Sequence, residues 1–139
     1  MGLKVRDVMT GVPVIMQKDE SLLQAARRMR DHAVGCVLVA EGTRLRGLVT
    51  DRDIVVRAIA ESSDAEAVCI GEICSRNLAW VSPDDDVNDA VATMCRRAVR
   101  RLPVVEGGKA VGIVSLGDVA LGGDESPVLA DISAAPPNA

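Results

Sequence analysis

The sequence has no phenylalanine, no tyrosine and a single tryptophan. Any core must therefore be assembled from Val, Ile, Leu, Ala and Met, and an apolar content of 48 % is enough for one. Only one histidine is present, and no nucleophile, base and orienting group stand at a spacing that suggests catalysis. An enzyme is not expected. No apolar run approaches the roughly 20 residues that cross a bilayer. Lys4, Arg6 and Asp7 interrupt any apolar stretch near the start, so no secretory leader is read there and a cytoplasmic location is expected. Excess basic charge is missing too. A net charge of −4 offers no basic face for sequence-independent nucleic-acid binding. In a reducing compartment Cys36, Cys69, Cys74 and Cys95 should remain thiols. Their spacings form no paired CxxC zinc pattern.

What the chain does have is an internal repeat. Shifted by 65 positions, it aligns with itself without a gap from Val5 to about Val55. Asp19 falls on Asp84, Ala25 on Ala90, Met29 on Met94, Gly47 on Gly112 and Asp53 on Asp118. Two copies are too few for a solenoid, which needs three or more. Each copy alone is also small for an independent core, so the two are expected to fold as one pseudo-symmetric unit. We divide the 139 residues into a first repeat (1–60), a linker (61–69), a second repeat (70–122) and a tail (123–139). Charge is unevenly shared: residues 1–60 carry 10 basic and 7 acidic side chains, whereas residues 61–139 carry 6 and 13. Such complementarity favours pairing of two chains, though only weakly.

Each repeat reads as a short helix, strand, helix, two strands and helix, a mixed α/β (α+β) class. From Asp19 to Arg30, Leu22, Leu23, Ala25, Ala26 and Met29 recur at helical spacing. The second copy repeats this with Val87, Ala90, Val91 and Met94, and Pro83-Asp84-Asp85-Asp86 predicts a helix start with proline near the first turn. Cys36–Val39 and Leu45–Thr50 flank a Glu41-Gly42 turn, and Leu102–Val105 and Ala110–Ser115 flank Glu106-Gly107-Gly108-Lys109. These are β-hairpins by turn chemistry. A helix follows Thr50 with Ile54, Val55, Ala58 and Ile59, and its counterpart after Ser115 is cut short by Gly122-Gly123. In the tail, Val128–Ile132 predicts one helical turn and Pro136-Pro137-Asn138-Ala139 predicts fraying.

The chemistry-bearing phrase is an apolar strand followed by Thr/Ser-x-x-Asp. It reads Gly47-Leu48-Val49-Thr50-Asp51-Arg52-Asp53, then Gly112-Ile113-Val114-Ser115-Leu116-Gly117-Asp118. A carboxylate three residues beyond a hydroxyl can accept both hydroxyls of a vicinal diol such as ribose. The same spacing is also a helix capping box. Cap and ligand roles stand at even odds on the motif alone, and they are compatible.

These residues resemble the cystathionine β-synthase (CBS) domain pair, or Bateman module. The matching phrases are Val5-Arg6-Asp7-Val8-Met9-Thr10, Gly47 to Val55, Val99-Arg100-Arg101-Leu102-Pro103-Val104-Val105 and Gly112-Ile113-Val114-Ser115. The resemblance spans about residues 3–122 and suggests a free-standing pair. It implies two βαββα repeats packed through their sheets with pseudo-two-fold symmetry. It also implies two clefts between them that take AMP, ADP, ATP or another adenosyl ligand, none of them obligatory, and a homodimer. By the family pattern Asp53 and Asp118 would hold ribose, with Thr50 and Ser115 near ribose or phosphate. Backbone at Cys36, Val37 and Leu38 and at Arg101, Leu102 and Pro103 would read the base, and Ile15 and Trp80 would line its pocket. Arg52 ranks first as a phosphate partner and Arg101 second, with Arg57 and Arg100 also near. Leu38 against Pro103, Gly35-Cys36 against Arg100-Arg101, and Arg52 against Gly117 make the two sites unequal. Trp80 stacks on a base, fills the second pocket or, as a lone tryptophan more often does, joins the core.

The expected function is thus a non-enzymatic sensor whose nucleotide shifts a dimer or a protein partner's surface. A structural dimerisation module with empty clefts is the alternative. A metal or thiol sensor, using His32 with Cys36 or Cys69 with Cys74, is a third.

Overall fold

The structure is a computed structural model that describes residues 2–61, 63–75 and 78–122, side chains at 121 and 122 excepted. The tail, with its expected turn at 128–132, lies outside the described residues. Two compact units are present: one contains the described residues 2–13 and 79–122, the other the described residues of 14–78.

The contiguous unit is built on β2 (Ile15–Gln17), β3 (Cys36–Glu41) and β4 (Arg44–Thr50), in the order β2-β3-β4. β2 runs parallel to β3, and β4 returns antiparallel. Between β2 and β3 runs α2 (Leu22–His32). Its start is a capping box: Ser21 Oγ accepts from Gln24 N at 3.2 Å, and Ser21 N donates to Gln24 Oε1 at 2.8 Å. Leu22, Ala25 and Met29 form its buried face, and Ala33 ends it in the left-handed region at φ 53°. The helix therefore begins and ends slightly later than the apolar spacing suggests. After β4 the chain turns through α3 (Asp51–Asp53) into a π-helical stretch, Ile54–Ile59. Ile54 and Ala58 lie inside, and Val55, Val56 and Ile59 are exposed. The unit closes with α4 (Ile70–Ile73). Its core joins Met16, Met29, Val37, Val39 and Val49 to Ile70 and Ile73.

The second unit repeats this plan with the sheet order β1-β6-β5, from β1 (Thr10–Gly11), β5 (Arg101–Glu106) and β6 (Lys109–Ser115). Val81 adds a single parallel bridge to Val104, where the first repeat has a full strand. α5 (Val87–Arg97) buries Val87, Ala90 and Met94 and is capped by the Asp86 carboxylate, which accepts from Asn88 N at 2.8 Å. Pro83 is not in the first turn of α5. It lies ahead of the cap because its carbonyl is used elsewhere: it accepts from Arg6 N at 2.9 Å. α6 (Leu116–Gly122) follows β6, and α1 (Val5–Val8) completes the unit. Val5 joins Val81, Ala90, Met94, Leu102, Val104 and Val114 in the core.

The compact units therefore do not follow the sequence repeats. The leading helix of the first repeat, α1, belongs with the body of the second. Val5 N donates to Asp85 O at 2.8 Å, and Thr10 pairs with Ile113. Reciprocally, α4 at the head of the second repeat sits on the body of the first. Ile70 N donates to Glu20 O at 2.8 Å, Gly71 N donates to Lys18 O at 3.0 Å, and Ser75 bridges to Leu48. Helices this short leave nearly all their N–H groups unpaired, and these carbonyls satisfy them. The arrangement explains the two matched glycines. A Cβ on Gly47 would stand 2.5 Å from Ser75 O, and one on Gly112 would stand 2.7 Å from Thr10 O. The linker is also tied down, since Val68 O and Ala65 O accept from Leu22 N and Leu23 N, each at 3.0 Å.

Candidate functional site

The Thr/Ser-x-x-Asp phrases form the same corner in each unit. Thr50 N donates to Asp53 Oδ2 at 2.9 Å, and Asp53 N donates to Thr50 Oγ1 at 3.0 Å. Ser115 N donates to Asp118 Oδ2 at 2.9 Å, and Asp118 N donates to Ser115 Oγ at 3.0 Å. The capping role is thus real in both copies. It consumes one oxygen of each carboxylate. Asp53 Oδ1 lies 3.8 Å from Arg57 Nε, while Asp118 Oδ1 has no partner among the described residues. Asp53 is 17 % exposed, close enough to solvent to meet a ligand and buried enough to be held in one orientation.

The strands bring the base-reading candidates beside these corners. Cys36 pairs with Thr50, and Arg101 with Ser115. Cys36, Val37 and Leu38 are buried, as are Leu102 and Pro103, so any recognition there falls to backbone. That backbone is partly committed: Leu38 N donates to Val14 O at 2.9 Å. Pro103 has no N–H to give, and its carbonyl accepts from Val81 N at 3.0 Å. The two corners thus differ at the pair Leu38 and Pro103, where the repeats differ in sequence. Ile15, which pairs with Leu38, is 43 % exposed.

Trp80 is not a core residue. It is 56 % exposed and lines a cavity of about 330 Å³ with Ser82, Asp84 and the β5–β6 hairpin at residues 105–108. Neither Ser115 nor Asp118 lines it.

Among the cations, Arg52 is exposed; its backbone N donates to Asp51 Oδ1 at 2.8 Å, and its guanidinium has no partner among the described residues. Arg57 is the one beside Asp53, and its Nη1 also donates to Ile73 O at 3.2 Å, linking the corner to α4. The spacing of four between Asp53 and Arg57 was the available signal, since residues four apart on a helix are neighbours. In the second repeat Gly122 takes its place.

The metal reading gains no support from helix geometry. α2 stops at His32, so His32 and Cys36 do not share a helical face. No group of three or more His, Cys, Asp or Glu side chains able to hold a metal occurs among the described residues. None of the four cysteines forms a disulfide, Cys36 and Cys74 being buried and Cys95 exposed.

The CBS domain model matches residues 5–59 and again residues 70–121. The chain belongs to the CBS domain family. The CBS domain-containing protein YhcV of Bacillus subtilis is 36 % identical over 117 residues, covering 84 % of this chain and 83 % of its own length. Hypoxic response protein 1 of Mycobacterium tuberculosis is 32 % identical over 116 residues, which cover 83 % of this chain and 81 % of that protein. A crystal structure of Hypoxic Response Protein I with two coordinated zinc ions has a TM-score of 0.75 and 31 % identity, covering 85 % of this chain and 97 % of that one. The CBS domain pair of protein MJ0100, in complex with 5′-methylthioadenosine and S-adenosyl-L-methionine, has a TM-score of 0.78 and 25 % identity, covering 86 % and 94 %. This CBS pair is thus of mixed α+β class. No helix among the described residues is long and apolar enough to cross a membrane.

Proposed function

We propose that this CBS pair is a non-catalytic regulatory module that binds an adenine nucleotide or another adenosyl ligand at its Thr50–Asp53 and Ser115–Asp118 corners. One observation carries the reading. Both carboxylates are oriented by a cap through Oδ2, so that Oδ1 is left to accept hydrogen bonds from a ribose diol. The adenosyl ligands of the MJ0100 pair support the same ligand class. Arg57, rather than Arg52, is the better-placed cation at the first corner. Regulation requires that the ligand favour one arrangement of the module over another. We place the module in the cytoplasm as a homodimer that reports to a protein partner. Exposed Val55, Val56 and Ile59 on the π-helical stretch support self-association.

Calorimetric titration with AMP, ADP, ATP, 5′-methylthioadenosine and S-adenosyl-L-methionine tests the reading. Saturable binding by at least one is expected. Asp53→Asn and Asp118→Asn keep an acceptor for the cap and remove the charge. Hydrogen bonds to a charged group are worth about 1.5–3 kcal/mol, so the variant at an occupied corner should bind about tenfold or more weakly. Unchanged affinity in both variants would move the site elsewhere.

A further inference from the structure

The two units balance charge differently at the last residue before the hairpin turn. Glu41 ends β3, and two cations of its own unit hold its carboxylate. Lys18 Nζ lies 3.5 Å from Oε1, and Arg46 Nη1 donates to Oε2 at 2.8 Å. The equivalent residue at the end of β5 is Glu106, and the positions that supply those two cations are Pro83 and Val111. Glu106 has one ion-pair partner among the described residues, Arg6, whose Nη2 stands 3.8 Å away. Arg6 is already committed, since its Nε and Nη2 both donate to Asp84 Oδ1.

Pro83 also changes the backbone. In the first unit Lys18 N donates to Ala40 O at 2.9 Å and keeps the chain on its neighbouring strand. Pro83 has no N–H, so the matching bond to Val105 O cannot form. Residues 82–84 and 105–108 instead wall the cavity of about 330 Å³, together with Trp80. That volume is at the lower end for small-molecule sites. Its charged walls are the Asp84 and Glu106 carboxylates, and no basic side chain among the described residues lines it. Two carboxylates against the one guanidinium of Arg6 leave a negative excess. No third His, Cys, Asp or Glu completes a metal site with them among the described residues. Trp80 supplies an aromatic face to the same cavity and is 56 % exposed. An aromatic face and an under-neutralised carboxylate in one cavity favour a cation with apolar substituents. The ring attracts the charge through its quadrupole, and the carboxylate is the counter-charge.

We propose that this cavity binds a small alkylammonium cation, seated against the face of Trp80 with Glu106 as its counter-charge. The first repeat answers its glutamate with Lys18 and Arg46, and the second leaves that role to a ligand. The inference uses neither Thr/Ser-x-x-Asp corner, so it stands or falls apart from the adenosyl reading.

Choline is the probe. Its control is 3,3-dimethyl-1-butanol, which has the same shape without the charge, and sodium chloride holds the ionic strength constant. Trp80 is the only tryptophan, so its emission reports on the site directly. The Gly107 amide resonance in a proton–nitrogen NMR spectrum gives a readout that survives replacement of Trp80. For so small a ligand a Kd on the order of 1 mM is expected. The neutral alcohol should bind about tenfold or more weakly, because it forfeits both the ring and the carboxylate attraction. Glu106→Gln and Trp80→Leu should each weaken choline about three- to fivefold, as befits an exposed ion pair and an exposed cation–π contact. Glu41→Gln, which removes the carboxylate that Lys18 and Arg46 already neutralise, should leave choline binding unchanged. The proposal is overturned if neither Trp80 emission nor the Gly107 amide shows a saturable response to choline. It is equally overturned if the neutral alcohol binds as well, or if folded Glu106→Gln and Trp80→Leu proteins, verified by their melting transitions, bind choline normally. A loss with Glu41→Gln as large as with Glu106→Gln would overturn it too, since the effect would then belong to the surface charge at large.

Discussion

One unit of this protein is a continuous stretch of chain, and the other is assembled from two pieces more than sixty residues apart. Both reach the same plan of sheet, covering helix and short closing helix. What differs is how completely each is filled. The continuous unit packs Met16, Leu22, Met29, Ile54, Ile70 and Ile73 around its sheet, and it seals its hairpin with Gln17. Among the described residues the assembled unit has a leaner core built round Val5, Leu102, Val104 and Val114, and a cavity beside Trp80 adjoins its hairpin. A repeated sequence therefore preserves backbone hydrogen bonding more faithfully than side-chain volume. The Thr/Ser-x-x-Asp boxes, the glycine contacts and the closing helices recur pair for pair. The residues that plug space do not.

The sharpest way to break this comparison is to cut matched residues of the two closing helices. Ile70 and Val5 occupy equivalent places, both fully buried. Ile70→Ala should cost about 2–5 kcal/mol, and Val5→Ala less, because fewer methyl groups are lost. Chemical denaturation of each variant checks this. Equal and negligible losses would show that the leading helices are not integral to the units that hold them.

A second test compares the two glycines. At Gly47 and at Gly112 a methyl group meets a backbone carbonyl, which cannot rotate away as a side chain can. Alanine at either position should destabilise by about 1–3 kcal/mol. Gly47→Ala should be the worse of the two, as its contact is shorter and Cys74 Sγ crowds the same spot. Melting temperatures of the two single variants decide the order.

The smallest effect concerns acid. Lys18 holds the Glu41 carboxyl below its ordinary range, mainly through its charge. A carboxylate depressed in this way contributes stability above its unfolded pKa, and the contribution fades as pH falls through the folded value. Glu41→Gln should therefore lower the melting temperature slightly near neutrality and leave it unchanged in strong acid. Both partners are solvent-exposed, so the effect should be small and weakened by salt.

Much of this was legible beforehand. The apolar spacing of Leu22, Ala25 and Met29, the Glu41-Gly42 and Glu106-Gly107 turns, and the Thr50–Asp53 and Ser115–Asp118 boxes are all local signals, and each has its expected form. The destination of α1 and α4 was not legible. Their N–H groups find carbonyls at Pro83 and Asp85 and at Lys18 and Glu20, far away in sequence, and no local pattern announces such partners. Pro83 misled for the same reason, because its carbonyl serves Arg6 rather than its own helix. The π-helical register of Ile54–Ile59 also has no spacing signature distinct from an α-helix over six residues. For Trp80 the sequence left base stacking, pocket filling and the core open, because exposure depends on what stands across from it, here a cavity beside the short side chain of Ser82.

The placement of α1 bears on how the molecule comes off the ribosome. Synthesis proceeds at about 5–20 residues per second and lets earlier segments fold first. Residues 14–78 are a finished set once the last of them emerges. Residues 2–13, though translated before them, must wait for Pro83, Asp85 and then Ile113 to appear before they can dock. A segment made before the continuous unit is thus among the last to settle, and for several seconds its apolar Val5 and Val8 have no native surface to cover.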